Sequence, residues 1–141
     1  MLLQQELREV SVYNSIISAV AAGTTRLNEI VGKTGEEKTK LTKYISTLIN
    51  LNILERAYPF GEKPEASRKG IYQIADNCYR FWYHFVFGNQ NEIDSGTGGH
   101  IADRYVFGEA LSNFIEKPAF EHICLSYLMR LNAALKLPFL A

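Results

Sequence analysis

The chain has 141 residues, 15 basic and 15 acidic side chains, a formal net charge of zero, and 47% hydrophobic residues. That fits one ordinary domain, or a small domain with an appendage, and such a chain buries roughly 70% of its unfolded surface without staples. The composition excludes a disordered tail and a histone-like polycation, so any contact with nucleic acid must come from a local patch.

The first periodic segment runs from Leu7 to Ala22. Val10, Tyr13, Ile16, Ile17 and Val20 recur at helical spacing on one face, with Glu9 or Ser11 near the start and Gly23 as a left-handed cap. Thr24 and Thr25 offer an N-cap for a second, short helix with Leu27, Ile30 and Val31 as its apolar face, broken by Gly32 and Gly35. Thr34 followed by Glu37 has capping-box spacing. It predicts a third helix over residues 36–50. There Leu41, Tyr44, Ile45, Leu48 and Ile49 form one stripe, and Thr39, Thr42, Lys43, Ser46 and Asn50 the opposite one. At 100° per residue the second stripe lies within about 60° of one direction. Its members form hydrogen bonds or carry positive charge, and none is acidic.

Residues 51–58 read as a turn and a half-buried strand, 59–70 as a Pro-, Gly- and charge-rich loop, and 70–74 as a returning strand. Three helices followed by a hairpin is the order of a winged helix, and the short break before the third helix makes a helix-turn-helix. Asp76 then caps an aromatic helix to Phe87, and residues 88–100 read as a polar, Gly-rich linker. Two helices complete the chain. One spans about 101–115, with Tyr105, Val106, Leu111, Phe114 and Ile115 apolar. The other spans about 117–135, with Phe120, Ile123, Cys124, Tyr127, Leu128 and Leu131 on one face and Pro118 in its first turn. The expected organisation is a winged-helix domain over 1–75, an aromatic helix and linker over 76–100, and C-terminal helices over 101–141. The fold class is mainly α.

Cys78 and Cys124 make no disulfide framework; in apolar, helical surroundings each reads as a small packed hydrophobe, which favours a cytoplasmic setting. No apolar run has the length of a membrane span, since Arg80 and His84 interrupt residues 79–87.

Several stretches resemble one family. Tyr13-x-x-Ile16-Ile17-x-Ala19-Val20-Ala21-x-Gly23, Glu29-Ile30 and Leu41-x-x-Tyr44-Ile45-x-x-Leu48 look like its winged-helix region. Tyr72-x-Ile74-x-Asp76-x-x-x-Arg80-Phe81-Trp82-Tyr83-x-Phe85-Val86 is the most specific piece. Phe120-Glu121-x-Ile123-Cys124, Leu131-Asn132 and Leu137-Pro138-Phe139 also match. The family is the archaeal-type P-loop ATPases of the AAA-like class. The resemblance covers the chain from about Val10 onward and implies a nucleotide-binding domain before the winged helix and a nuclease-like region after it. This chain departs from the full pattern: Ser95-Gly96-Thr97-Gly98-Gly99-His100 lacks the Lys-Ser/Thr of a phosphate-cradling loop. The chain end falls where the acidic nuclease core would begin. The expectation is an excised, non-catalytic middle portion with no cofactor of its own, partnered by an ATPase domain, in which Glu121 matches an outlying carboxylate of the nuclease-like fold.

The sharp chemical expectation is duplex DNA. A recognition helix presents small and hydrogen-bonding side chains to the major groove. Thr39, Thr42 and Ser46 would face base edges, Lys38 and Lys43 phosphates, and Arg68 and Lys69 on the wing the neighbouring backbone. From Lys33 to Lys69 basic residues (Lys33, Lys38, Lys40, Lys43, Arg56, Lys63, Arg68, Lys69) outnumber acidic ones (Glu36, Glu37, Glu55, Glu62, Glu65) by three. The competing expectation is a protein-interaction module relaying nucleotide state between flanking domains, its helix face merely solvated. The aromatic helix is mostly core, with a share left exposed for an ATPase domain or a second copy of the chain. An enzyme would need converging carboxylates around Glu109, Glu116 and Glu121. Metal binding has little support, because His122 and Cys124, two residues apart, do not share a helix face. Neither cysteine has the electropositive setting of a reactive thiol.

Overall fold

The computed structural model describes residues 2–59, 61–63 and 70–136, with side chains from Arg8 onward and excepting Pro118. The chain is mainly helical with one small antiparallel sheet. Helices α1 (Leu2–Ala21), α2 (Leu27–Thr34) and α3 (Lys38–Asn50) are followed by strands β1 (Leu54–Ala57) and β2 (Ile71–Ile74) and by helix α4 (Asn77–Phe81). A wider, π-type turn over Trp82–Val86 carries α4 on toward Phe87. These elements form one compact unit; a second holds the residues from Gly88 on, together with Pro59 and 61–63.

The first unit is built on a core of Val12, Ile16, Ile17, Val20, Ile30, Leu41, Ile45, Leu48, Leu54 and Ile74. The core face of α1 is rotated by roughly 60° from the expected one. Val12 is buried, whereas Val10 is 55% exposed. Gly23 does cap α1 in the left-handed region (φ 92). The Gly32 break and the capping box do not form. Gly32 lies inside α2, which ends only at Gly35 (φ 70), whose N–H donates to the Val31 carbonyl. Thr34 is the last residue of α2; its hydroxyl donates to the Ile30 carbonyl (2.8 Å) and its oxygen accepts from the Glu36 N–H (3.5 Å) rather than from that of Glu37. The N-cap of α2 is Arg26 and that of α3 is Glu37, neither making a side-chain capping bond.

Asn52 turns the chain from α3 into β1 through a left-handed conformation (φ 55), which Asn tolerates better than most residues. The strands pair Leu54 with Ile74, Glu55 with Gln73, Arg56 with Tyr72 and Ala57 with Ile71. The Ala75 N–H donates to the Ile53 carbonyl (2.9 Å). By the alternation of an antiparallel ladder, Ile74 and Tyr72 therefore turn their backbone groups outward, off the open edge of β2. Two of these four outward groups have partners. The Tyr72 N–H donates to the Thr25 carbonyl (2.8 Å), tying the hairpin to the entrance of α2. The Ile74 carbonyl accepts from Arg80 Nη2 (2.6 Å).

Asp76 caps α4 as the sequence predicts, accepting from the N–H groups of Cys78 (2.7 Å) and Tyr79 (3.2 Å). Tyr83 donates its hydroxyl to Asn14 Oδ1 on α1 (2.8 Å), and His84 Nδ1 lies 3.2 Å from the Ala21 carbonyl. The aromatic helix is therefore bolted to both the hairpin and α1. Phe85 is buried, Phe81, Tyr83 and Phe87 are half-buried, and Tyr79 (49%) and Trp82 (42%) stay exposed, so less of this helix is core than the expectation of a mostly buried aromatic face. Cys78 is exposed, against the expectation of a packed thiol, and Cys124 is half-buried.

In the second unit the stretch 88–100, expected as a linker, is largely helical. It contains α5 (Gln90–Glu92), a π-type turn over Ile93–Thr97 and α6 (Gly98–Ile101), with the break at Gly96 (φ 86, ψ 5). The helix expected over 101–115 is interrupted at Gly108, where an added Cβ would stand 2.9 Å from the Arg104 carbonyl oxygen. Helix α7 (Glu109–Phe114) follows, then α8 (Phe120–Ala133). Ile101 and Phe114 are buried, while Ile115 and, on α8, Phe120, Ile123, Tyr127 and Met129 are exposed. No helix among the described residues is long and apolar enough to cross a membrane.

Candidate nucleic-acid interface

Leu41, Ile45 and Leu48 hold α3 against the core at 2% exposure or less. Tyr44 adds an edge-to-face contact with Tyr13 of α1, centroids 4.8 Å apart. With that face fixed inward, helical geometry turns the opposite stripe outward. Lys38, Thr39, Thr42, Lys43 and Ser46 are all exposed. Arg68 and Lys69 lie outside the described residues.

The hydroxyls on this face are not presented as the sequence suggests. Thr42 Oγ1 donates to the Lys38 carbonyl (2.8 Å) and Ser46 Oγ to the Thr42 carbonyl (2.9 Å). Such bonding back to the previous turn occupies the hydroxyl proton and leaves the oxygen lone pairs facing out. The surface thus offers acceptors, the Thr42 methyl group and the ammonium of Lys43. Lys40, on the flank, is engaged by Glu36 at 3.1 Å.

Lys38 does not stand with Lys43. It lines a groove of about 320 Å³ together with Arg26, Leu27, Asn28, Arg56, Gly70 and Tyr72. The cations come from three elements: the N-cap of α2, the first residue of α3 and the middle of β1. Sequence reasoning missed Arg26 and Arg56 as site residues. The signal for Arg56 was present in the hairpin, because opposite pairing places it beside Tyr72. Its guanidinium lies 5.3 Å from the Tyr58 ring centroid and 5.8 Å from that of Tyr72. Gly70 makes room for this arrangement: a Cβ there would stand 2.7 Å from both Arg56 Nε and Tyr58 Cε1.

Two groups near the bolts of α4 are electrostatically perturbed. Burial lowers the Arg80 pKa from its ordinary value, opposed by the carboxylates of Glu55 and Asp76. Burial raises the Tyr83 phenol above its ordinary value, and Tyr79 adds to the effect. Neither lies on the exposed face of α3. They belong to the scaffold that fixes it.

The remaining candidates do not assemble. Ser95 and Thr97 both donate their hydroxyls to the Glu92 carbonyl, at 2.9 and 2.7 Å. With those groups committed and no adjoining Lys-Ser/Thr, residues 95–100 do not fit a nucleotide phosphate, and no chemistry is derived through one. Glu109, Glu116 and Glu121 are exposed on α7, the turn after it, and α8. Among the described residues no three His, Cys, Asp or Glu side chains group to hold a metal ion.

The uncharacterized protein MJECL04 of Methanocaldococcus jannaschii is 33% identical to this chain over 138 residues, or 98% of the chain. The likeness therefore runs through both units. The chain spans only 30% of that protein's length. No family model and no solved structure matches the chain.

Proposed function

We propose that the first unit is a winged helix that binds duplex DNA, with α3 as the helix entering the major groove and no catalysis of its own. The observation that carries this reading is the outward stripe of α3, in which Thr39, Thr42, Lys43 and Ser46 are all exposed, opposite a face whose Leu41, Ile45 and Leu48 are buried. A helix held by one face, with small polar side chains and a cation on the other, has the form that groove recognition requires. With their protons turned inward, Thr42 and Ser46 would accept from the amino groups of adenine or cytosine, and the Thr42 methyl would touch thymine. On the resemblance to the AAA-like ATPases, the module would serve a protein whose ATP hydrolysis resides in a separate domain.

The exposed Tyr79 and Trp82 favour a second reading, a protein-interaction module, because paired aromatics beside a polar surface also make docking anchors. A salt titration of binding to a short labelled duplex separates the two. Phosphate-led binding weakens linearly on logarithmic axes as salt rises. Lys43→Glu should flatten that line by about 0.9, since one fewer phosphate is neutralised. Absence of binding by the wild-type chain at low salt would remove the DNA reading.

A further inference from the structure

The groove between α2, α3 and the hairpin gathers Arg26, Lys38 and Arg56, and among the described residues no acidic one lines it. Among the described residues none of these three cations forms an ion pair, whereas Lys40, a short distance along α3, is paired with Glu36. Like charges brought together without counter-charges raise one another's free energy, and an anion placed among them relieves that repulsion. Part of the wall is held in place. Arg56 is held against the rings of Tyr58 and Tyr72, and β2 is tied to the residue preceding Arg26 by the Tyr72–Thr25 backbone bond. Gly70 leaves the space that Arg56 and Tyr58 occupy. The groove also adjoins the start of α2, whose first amides have no acceptor inside the helix and whose N-cap, Arg26, has no side-chain oxygen to offer them.

We propose that this groove seats a phosphate group. The planar forks of Arg26 and Arg56 suit its tetrahedral oxygens, and Lys38 adds a point charge. The identity of the phosphate rests on the DNA-binding reading. Lys38, the first residue of α3, lines the groove and stands one turn before Thr42 of the outward stripe. A helix inserted by that stripe brings one backbone phosphate beside the groove. The cavity would then fix the register of α3 on the duplex, a role of phosphate contacts that is distinct from base reading.

The test uses the full chain, the Arg26→Gln/Arg56→Gln double variant, and Gly70→Ala, which keeps every charge but displaces Arg56. Labelled-duplex anisotropy across salt gives one readout; amide and arginine side-chain NMR shifts on titration with inorganic phosphate give the other. The double variant should lower the salt slope by about 0.9, so that its affinity deficit at 50 mM salt exceeds that at 200 mM by roughly 3.5-fold. Gly70→Ala should reproduce part of that deficit. Saturable shifts at Leu27, Asn28 and Arg56 with inorganic phosphate, abolished in the double variant, support the groove whether or not duplex binds. If those shifts appear and the wild-type chain ignores duplex, the site takes a free phosphate compound and the DNA reading falls alone. Duplex binding with an unchanged slope in the double variant overturns the assignment of a DNA phosphate to the groove and leaves the contact through α3 standing. Absence of both the shifts and the slope change overturns the groove as a phosphate seat.

Discussion

Replacing Arg80 by Met tests whether the hairpin and the aromatic helix form one stable body. Arg80 is 6% exposed and the only buried charged residue among those described. Its Nη2 donates to the Ile74 carbonyl (2.6 Å) and its Nη1 to Asn77 Oδ1 (3.0 Å). A hydrogen bond from a charged donor contributes about 1.5–3 kcal/mol, so these two bonds are worth roughly 3–6 kcal/mol gross. Against this stands the desolvation of the guanidinium, whose effective cost is several kcal/mol and which the substitution relieves. The variant does not return to neutrality, however. The Ile74 carbonyl points away from β1 and is deprived of Arg80 as its donor, an omission worth about 1–3 kcal/mol for a buried acceptor. The Glu55 and Asp76 carboxylates are deprived of their nearby cation too. The expected net loss is about 3 kcal/mol, with Arg80→Lys, which keeps charge but not the fork, losing about half of that. Guanidinium unfolding read through Trp82, the chain's single tryptophan, reports on this unit directly. A variant within about 0.5 kcal/mol of wild type, the range of an ordinary surface change, would refute the reasoning.

Two further substitutions probe the same scaffold. Tyr83 holds its phenol proton more tightly when folded than its ordinary value of 10.0, so its stabilising contribution is complete below pH 10 and declines as pH rises through the folded value. Tyr83→Phe should therefore lose less stability than wild type between pH 9 and pH 11, and equal slopes of denaturation midpoint against pH would contradict this. Asp76→Ala removes the cap of α4 and should destabilise by about 1 kcal/mol, leaving α3-dependent binding unchanged; a coupled loss of binding would show that the cap acts beyond its own helix.

Much of the first unit was legible in the chain because local rules and tertiary packing agreed there. The stripe of Leu41, Ile45 and Leu48, the returning strand at residues 71–74, and the Asp76 cap each follow from spacing or from one side chain's reach. Where they disagree, packing decides. Val10 and Val12 are equally apolar, and only the arrangement of α2, α3 and the hairpin selects Val12. Gly32 reads as a breaker because glycine disfavours helix by about 1 kcal/mol, yet Ile30, buried next to it, holds that turn in place. The Gly-rich stretch 88–100 reads as a linker by composition, but a single left-handed residue, Gly96, supplies the bend it needs and the flanking residues are free to coil. The outward face of α3 could be read from periodicity. The groove beside it could not, because Arg26, Lys38 and Arg56 are brought together by the backbone bond between β2 and the start of α2, a relation that no local pattern encodes.

The double fastening of the aromatic helix has a mechanical consequence. Arg80 grips the root of the hairpin and, one turn later, Tyr83 grips α1. A segment pinned at two points in successive turns behaves as a short lever, with no slack to absorb a twist. Torque applied at Phe87 would reach the hairpin root and the long first helix together, the two supports against which α3 is braced.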